Sequence, residues 1–280
     1  MKPPIDSYDP AWVARYFDEF GGKEWERLTR TPVDEVSLHV YSQLLQRHLR
    51  PGMKVLEIGA GAGRFTQIIA ALRCEITVAD ISEGQLKLNR AKAAEHGFAA
   101  AVRDSCVLDI CDLRRFADGE FDAVVAYGGP ISYVFDRADG ALQECRRVLK
   151  DGGVLLCSVM SLWGTCHRYL GDVLQIPPAQ NKVITDTGDL SPATLPENKH
   201  YCRMYRAAGF REMLERNHLP VVALSASNSL SLRWESELAA IRQDPVKWQE
   251  LLRLELEACA EPGCLDSGTH LIAVCAKEGG

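Results

Sequence analysis

Apolar positions along the chain change period several times, and each change marks an element. Asp9-Pro10 opens the first helix, with an N-cap followed by proline at the first helical position. Val13, Tyr16, Phe17 and Phe20 then fall at i, i+3, i+4 and i+7, a single helical stripe that Gly21-Gly22 ends. A second helix is expected from about Val33 to Leu49, before Arg50-Pro51-Gly52. From Lys54 onward short apolar runs alternate with amphipathic helices. Strands are expected at Val55–Ile58, Ile76–Ala79, within Ala99–Leu108, and at Phe121–Ala126 and Val154–Val159. The intervening helices are marked by Phe65, Ile68, Ile69 and Leu72, by Ser82 as a cap for a helix reaching His96-Gly97, and by a helix ending at Lys150-Asp151-Gly152-Gly153. Strands alternating with helices imply an α/β fold with a mainly parallel, right-handedly wound sheet.

That rhythm breaks after the fifth strand. Residues from about Ser161 to Pro196 read as irregular, with one short helix near Trp163 to Leu174 and then Pro177-Pro178, Gly188 and Pro192. An insertion of this size in a compact domain points to function, here a cover over a ligand. The pattern resumes with a helix around Phe210–Asn217, a strand at Val221–Leu224, a long helix carrying Trp248, Leu251, Leu252 and Cys259, and a last strand at His270–Cys275. Four parts are expected: residues 1–52, an N-terminal helical cover; 53–160, a ligand-binding α/β core; 161–198, the inserted cover; and 199–280, the C-terminal part of the core.

Composition narrows the function classes. The 280 residues carry 32 Lys and Arg against 38 Asp and Glu, a net charge of −6. Nucleic-acid binding rests on clustered basic residues, and Arg114-Arg115 and Arg146-Arg147 sit beside acids. No apolar run reaches the ~18–20 residues that span a bilayer, and Met1 to Asp6 lack the apolar stretch of a signal peptide, so the cytoplasm is the expected compartment. The 10 cysteines form no C-x-x-C pair and accompany no histidine cluster; several lie in apolar stripes, so reduced, mostly buried thiols and no metal are expected.

The richest stretch is Val55-Leu56-Glu57-Ile58-Gly59-Ala60-Gly61-Ala62-Gly63. A strand ends in a glycine turn and a helix begins at once, which lets backbone N–H groups approach a ligand at the positive end of a helix. Asp80 follows at the end of the next strand, the place of an acid that grips a ribose. The spacing Gly59-x-Gly61-x-Gly63 differs from the dinucleotide pattern G-x-G-x-x-G, and Glu57 would repel phosphates. A ligand that is cationic near the turn, with an amino group or a sulfonium, suits it better.

On these residues the chain resembles the class I S-adenosylmethionine-dependent methyltransferases, of the small-molecule, UbiE/UbiG-like type. Val55–Gly63 is similar to their first motif, and Asp80-Ile81-Ser82 with Gln85-Leu86 to the acidic second-strand motif. Asp109-Ile110-Cys111-Asp112-Leu113 and Asp118–Val124 resemble the third and fourth. Leu142–Gly153 resembles the stretch before the fifth strand, with Asp151 in place of the usual proline. The resemblance covers about Lys54 to Val159. It implies a Rossmann-like sheet of seven strands, mostly parallel with one antiparallel, flanked by N-terminal helices and an inserted cover.

It also implies S-adenosylmethionine as cofactor. Gly59, Ala60, Gly61 and Gly63 would hold its methionine moiety, with Glu57 supporting the ammonium. Asp80 would accept both ribose hydroxyls. Ile81 and Gln85 would lie against adenine, Asp109 and the Ile110 N–H would serve its edge, and Tyr127 would lie near the methionyl part. Tyr8 and Tyr16 resemble aromatic positions that cover the cofactor.

The acceptor is expected to be a small molecule. The segment Ala126-Tyr127-Gly128-Gly129-Pro130 lacks the Asn/Asp-Pro-Pro-Tyr/Phe tetrad of amide and exocyclic-amine methyltransferases. Tyr133, His167, His200 and Tyr201 fall near strand carboxyl ends; His167 and Tyr133 are the expected catalytic residues if a base is needed. An enzyme methylating an N, O or C nucleophile in secondary metabolism, a cofactor-binding module without transferase activity, and a macromolecule methyltransferase are the readings left open.

Overall fold

The computed structural model describes residues 7–195 and 200–278. Residues 1–6 and 196–198, which belong to the expected N-terminal and inserted covers, lie outside the described residues, as do 199, 279 and 280. Among the described residues, nine strands run β1 Lys54–Ile58, β2 Glu75–Asp80, β3 Val102–Val107, β4 Phe121–Ala126, β5 Leu149–Ser161, β6 Asp189–Leu190, β7 Cys202–Tyr205, β8 Val221–Ala226 and β9 His270–Ala276. The helices are α1 Pro10–Phe20, α2 Lys23–Glu26, α3 Pro32–His48, α4 Arg64–Ala71, α5 Glu83–Glu95, α6 Pro130–Tyr133, α7 Ala138–Val148, α8 Leu162–Arg168, α9 Leu170–Val173, α10 Pro178–Thr187, α11 Ala207–Arg216, α12 Glu235–Ile241 and α13 Pro245–Ala260.

The main sheet has the order β3-β2-β1-β4-β5-β9-β8, and β9 alone runs antiparallel to its neighbours. This is the seven-strand, mostly parallel sheet expected. Side chains alternate between two cores, as strand geometry requires. Leu56, Ile58, Val124, Ala126, Leu155 and Cys157 face α7 and α11. Val55, Ala123, Val125 and Leu156 face α3, α4 and α13. All ten cysteines are free thiols, and Cys145, Cys157 and Cys275 are buried.

Three local expectations need correction. The insertion is mostly helical: Pro178 occupies the first turn of α10 rather than breaking the chain, and Gly188 closes that helix at φ +80°. The segment Leu149-Gly153 belongs to β5, where a bulge opposite Phe121 to Ala123 absorbs the glycines instead of a turn. Finally, β6 and β7 form a short antiparallel pair that docks on the end of β5, and neither strand was expected. Two or four residues are too few to show a period.

Helix starts follow side-chain capping. The Asp9 carboxylate accepts from Trp12 N at 3.0 Å, Thr31 and Asp34 make a reciprocal box at α3, and Ser82 Oγ accepts from Gln85 N. In the order of strands, the direction of progression reverses between β1 and β4. Their carboxyl ends therefore open a crevice, the usual ligand position in such sheets.

Two glycines test this packing. A Cβ at Gly164 would fall inside the Gly268 carbonyl, backbone against backbone, whereas Gly140 in α7 has open space around it. Gly164→Ala should destabilise by ~3 kcal/mol or more, and Gly140→Ala should stabilise by ~0.5–1 kcal/mol. Denaturant unfolding of both variants measures the contrast.

Candidate active site

The glycine turn follows β1, with φ of +67° at Gly59, +54° at Gly61 and +98° at Gly63. Only glycine adopts such values without strain, and the turn needs the absence of a Cβ for space as well. A Cβ at Gly59 would lie 2.7 Å from Pro130 Cγ, and one at Gly61 would lie 3.0 Å from Glu24 Cγ. Asp80, 5% exposed, ends β2 beside this turn. Its Oδ2 accepts from Gly61 N at 2.8 Å and its Oδ1 from Ser82 N at 2.8 Å.

Helix α1 is fastened over this junction. Asp18 Oδ1 accepts from Ser82 Oγ at 2.5 Å and Gly84 N at 2.9 Å, and Gln85 Nε2 donates to Phe17 O and Gly21 O. Beneath it lies a cavity of about 830 Å³. Its floor is the glycine turn with Asp80, Ile81, Ile110 and Tyr127; its roof is the Val13, Tyr16, Phe17, Phe20 stripe of α1; and α8 to α10 close its side. The apolar stripe read from the sequence thus faces a cavity, which is why only Val13 of it is fully buried. The inserted segment lines the same cavity, in the position of a cover.

Tyr8, Tyr16, Gly59, Ala60, Gly61, Asp80, Ile81, Ile110, Tyr127 and Tyr133 all line the cavity. Five expected residues stand off it. Glu57 is buried behind the turn, and neither carboxylate oxygen has a partner of normal hydrogen-bond geometry, although Thr66 faces it. Gly63 starts α4 and packs on the Asn89 amide. Gln85 spends its amide on α1 rather than reaching toward a ligand. Asp109 accepts from Cys111 N at 2.8 Å and faces the Tyr8 phenol, whose pKa burial and the Asp109 charge push up. His167 is exposed on α8, on the side turned away from the cavity. A seven-residue helix shows too little periodicity to tell those sides apart from sequence.

Other groups take its place. Tyr133 Oη lies 2.8 Å from His200 Nε2, with the Tyr16 ring 5.6 Å from the imidazole. Burial lowers the His200 pKa to about 4 and that of His270, also on the cavity wall, to about 3. Glu24 and Arg27 form an ion pair at the roof, with Arg27 Nη2 to Glu24 Oε1 at 2.8 Å. Sequence reasoning missed Glu24, Arg27 and His270. The first two sit in and just after a four-residue helix that has no periodicity to read. His270 was legible in principle, because the first residue of an antiparallel strand lies at the carboxyl ends of its parallel neighbours.

With this geometry in hand, the comparisons with known proteins are decisive for the domain. Residues 56–157 match the family described as a methyltransferase domain. These residues form a class I, S-adenosylmethionine-dependent methyltransferase domain. Over 149 residues the chain is 38% identical to the ubiquinone/menaquinone biosynthesis C-methyltransferase UbiE of Shewanella oneidensis, covering 50% of this chain and 57% of that one. The chain thus spans a little over half the length of the curated relatives it matches. Solved structures share the fold over more of the chain. The Burkholderia thailandensis 1,6-didemethyltoxoflavin-N1-methyltransferase, with S-adenosylhomocysteine bound, superposes with a TM-score of 0.57 at 14% identity, over 96% of this chain and 88% of that one. The [4+2]-cyclase SpnF gives 0.62 at 19% identity, over 99% of both chains. These two likenesses concern fold alone. Among the described residues of the domain and its flanks, no three His, Cys, Asp or Glu side chains are placed to hold a metal, and no helix is long and apolar enough to cross a membrane.

The two buried carboxyls predict a pH dependence. Burial raises Asp80 from 3.8 to about 6 and Glu57 from 4.5 to about 8. The folded chain therefore binds more protons than the unfolded chain between those values, so stability falls as pH rises through each window. Glu57→Gln removes the larger contribution. It should exceed the parent in stability by ~2–4 kcal/mol near neutral pH and by almost nothing at about pH 4. Unfolding midpoints across that range check it; parallel curves for the two proteins would contradict it.

Proposed function

We propose that the chain transfers the methyl group of S-adenosylmethionine to a small organic acceptor, and does so in the cytoplasm. The observation that carries this reading is the continuous cavity of about 830 Å³, which starts at the glycine turn and Asp80 and ends under the inserted cover. Small-molecule sites run ~300–1,000 Å³, so this one suits a nucleoside-sized cofactor together with a small second ligand. The residues fit the cofactor in kind. A carboxylate at a strand end suits paired ribose hydroxyls, and Asp80 with the carboxyl of Glu57 behind the turn suits a cationic tail. When bound, the cofactor supplies an electrophilic methyl group on a sulfonium sulfur.

In this reading Gly59, Ala60, Gly61, Asp80, Ile81, Ile110 and Tyr127 contact the cofactor, and Tyr8 and Tyr16 close over it. Glu57, Gly63, Gln85 and Asp109 act one step back, shaping the turn, fastening α1 and holding Tyr8. The enzyme's task is alignment of nucleophile, carbon and sulfur in a site from which water is excluded. The aromatic face of α1 and the apolar residues of α8 to α10 serve that exclusion. Of the two expected catalytic residues Tyr133 is the candidate, since it lines the cavity where His167 does not.

Calorimetric titration with S-adenosylhomocysteine tests the reading. The parent should bind, and Asp80→Asn should lose ~1.5–3 kcal/mol of affinity, because one oxygen able to accept a ribose hydroxyl is replaced by a donor. Absence of binding by the folded parent would sink the methyl-donor reading; equal affinity of the two proteins would place the ribose elsewhere.

A further inference from the structure

Far from the glycine turn, the cavity ends in a polar corner for which methyl-donor binding has no use. In the order β1-β4-β5-β9 the start of β9 stands three strand pairings from the end of β1, roughly 14 Å at ~4.8 Å per strand. Asp80 on β2 lies on the other side of β1. Ser227, Asn228, Thr269 and His270 make up the corner, and all of them line the cavity. Ser227 N donates to His270 O at 2.9 Å and His270 N to Ser227 Oγ at 3.2 Å, which carries the β8–β9 pairing to the corner itself.

Asn228 is 2% exposed, and its side chain is only half used. Its Oδ1 accepts from Thr269 N and from Ser227 Oγ, each at 3.4 Å. A backbone N–H can only donate, so the oxygen end of the amide is the end turned to Thr269. The Nδ2 end donates to none of the described residues and is not sealed among them, so its N–H groups open onto the cavity. A polar group this deeply buried calls for a partner. Its position is fixed from several sides. A Cβ at Gly268 would strike the Asn228 carbonyl. Glu255 of α13, fully buried, accepts from Ser229 N, Ser231 N and Ser231 Oγ. From α8, Arg168 donates to Leu232 O at 3.2 Å and pairs with Glu235. The segment 228–232 is thus held between α8 and α13. The corner carries no unpaired cation: Arg27, which faces His270, is engaged by Glu24, and burial keeps His270 neutral. A neutral oxygen suits it better than a carboxylate, whose lost hydration nothing there would offset.

Resting on the methyl-transfer reading above, we propose that Asn228 Nδ2 donates a hydrogen bond to a neutral carbonyl oxygen of the second ligand, and that Glu255 positions Asn228 for it. Asn228 is then a specificity-determining residue. It anchors one end of the ligand while the nucleophile lies nearer the glycine turn, and it selects against analogues that leave Nδ2 unpaired.

The probes are acetophenone and 2-phenylpropene, nearly alike in shape, with the oxygen of the first replaced by a methylene group in the second. Each is added to the parent, to Asn228→Leu and to Glu255→Gln, with and without saturating S-adenosylhomocysteine, whose own binding is followed by calorimetry. Infrared difference spectra read the carbonyl stretch of bound acetophenone, which falls in wavenumber when the oxygen accepts a hydrogen bond. The stretch should lie lower in the parent than in Asn228→Leu, and acetophenone should bind the parent about three- to tenfold more tightly. The two proteins should bind 2-phenylpropene alike. Asn228→Asp keeps an oxygen for Thr269 N and, ionised at pH 8, has no donor; it should match Asn228→Leu and serves if that variant does not fold. Glu255→Gln should lose part of the shift, whereas a role in folding alone would leave the stretch in place. Equal stretches in the parent and the Asn228 variants overturn the proposal, as do equal parent-to-variant affinity ratios for the two probes, or failure of the parent to bind acetophenone. If the shift is present and S-adenosylhomocysteine does not bind, the methyl-donor reading falls and the Asn228 contact stands.

Discussion

The carboxylate of Asp80 is the joint on which the site depends. Parallel pairing of β1 with β2 sets Ile58 opposite Ala79, so the glycine turn and Asp80 leave the sheet side by side. One oxygen then accepts from the turn, at Gly61, and the other from Ser82 at the head of α5. Ser82 in turn caps α5 and donates to Asp18, and that contact suspends α1 above the cavity. A single buried acid thus ties together two strand ends, the start of one helix and the roof. Such a group is stable only when its lone pairs are used, and the backbone donors that occupy them also fix its orientation toward the cavity.

Charge is distributed unevenly around the cavity, and the asymmetry suits the proposed cationic methyl donor. Behind and beside the glycine turn lie Glu57 and Asp80, both held above the usual carboxylate range by burial. A cationic ligand there favours their ionised forms and is attracted by them, strongly so in a medium less polarisable than water. The opposite wall carries two histidines kept neutral by burial. Neutral imidazoles there avoid a fixed positive charge that would repel a sulfonium. The Glu24–Arg27 pair at the roof adds no net charge between these ends.

Much of this was legible from periodicity and spacing. The α/β alternation, the cap at Ser82, the glycine turn and Asp80 rest on local rules that tertiary packing left intact. The missed parts lack a local rule. Pro177-Pro178 reads equally as a break or as the first turn of a helix, and only the helix α10 that follows decides between them. Strands β6 and β7 are stabilised by docking on β5, not by their own pattern. Gln85 matched a motif by residue type, yet the arrival of α1 from 64 to 68 residues away claims its amide. His167 and His200 are both polar residues near the end of the sheet in sequence terms. Their roles separate only because α8 turns one outward while the chain entering β7 brings the other against Tyr133.

The central claim is that the Asp80 joint and the cavity it organises form a methyl-donor site with room for a second small ligand. The most direct measurement is a crystal structure of the full chain with S-adenosylhomocysteine. The account predicts the ribose hydroxyls on Asp80, the amino-acid tail along the glycine turn, the sulfur facing the Tyr133 side, and unfilled space between it and the cover. A nucleoside bound away from Asp80, or one that fills the cavity up to the cover, would contradict it.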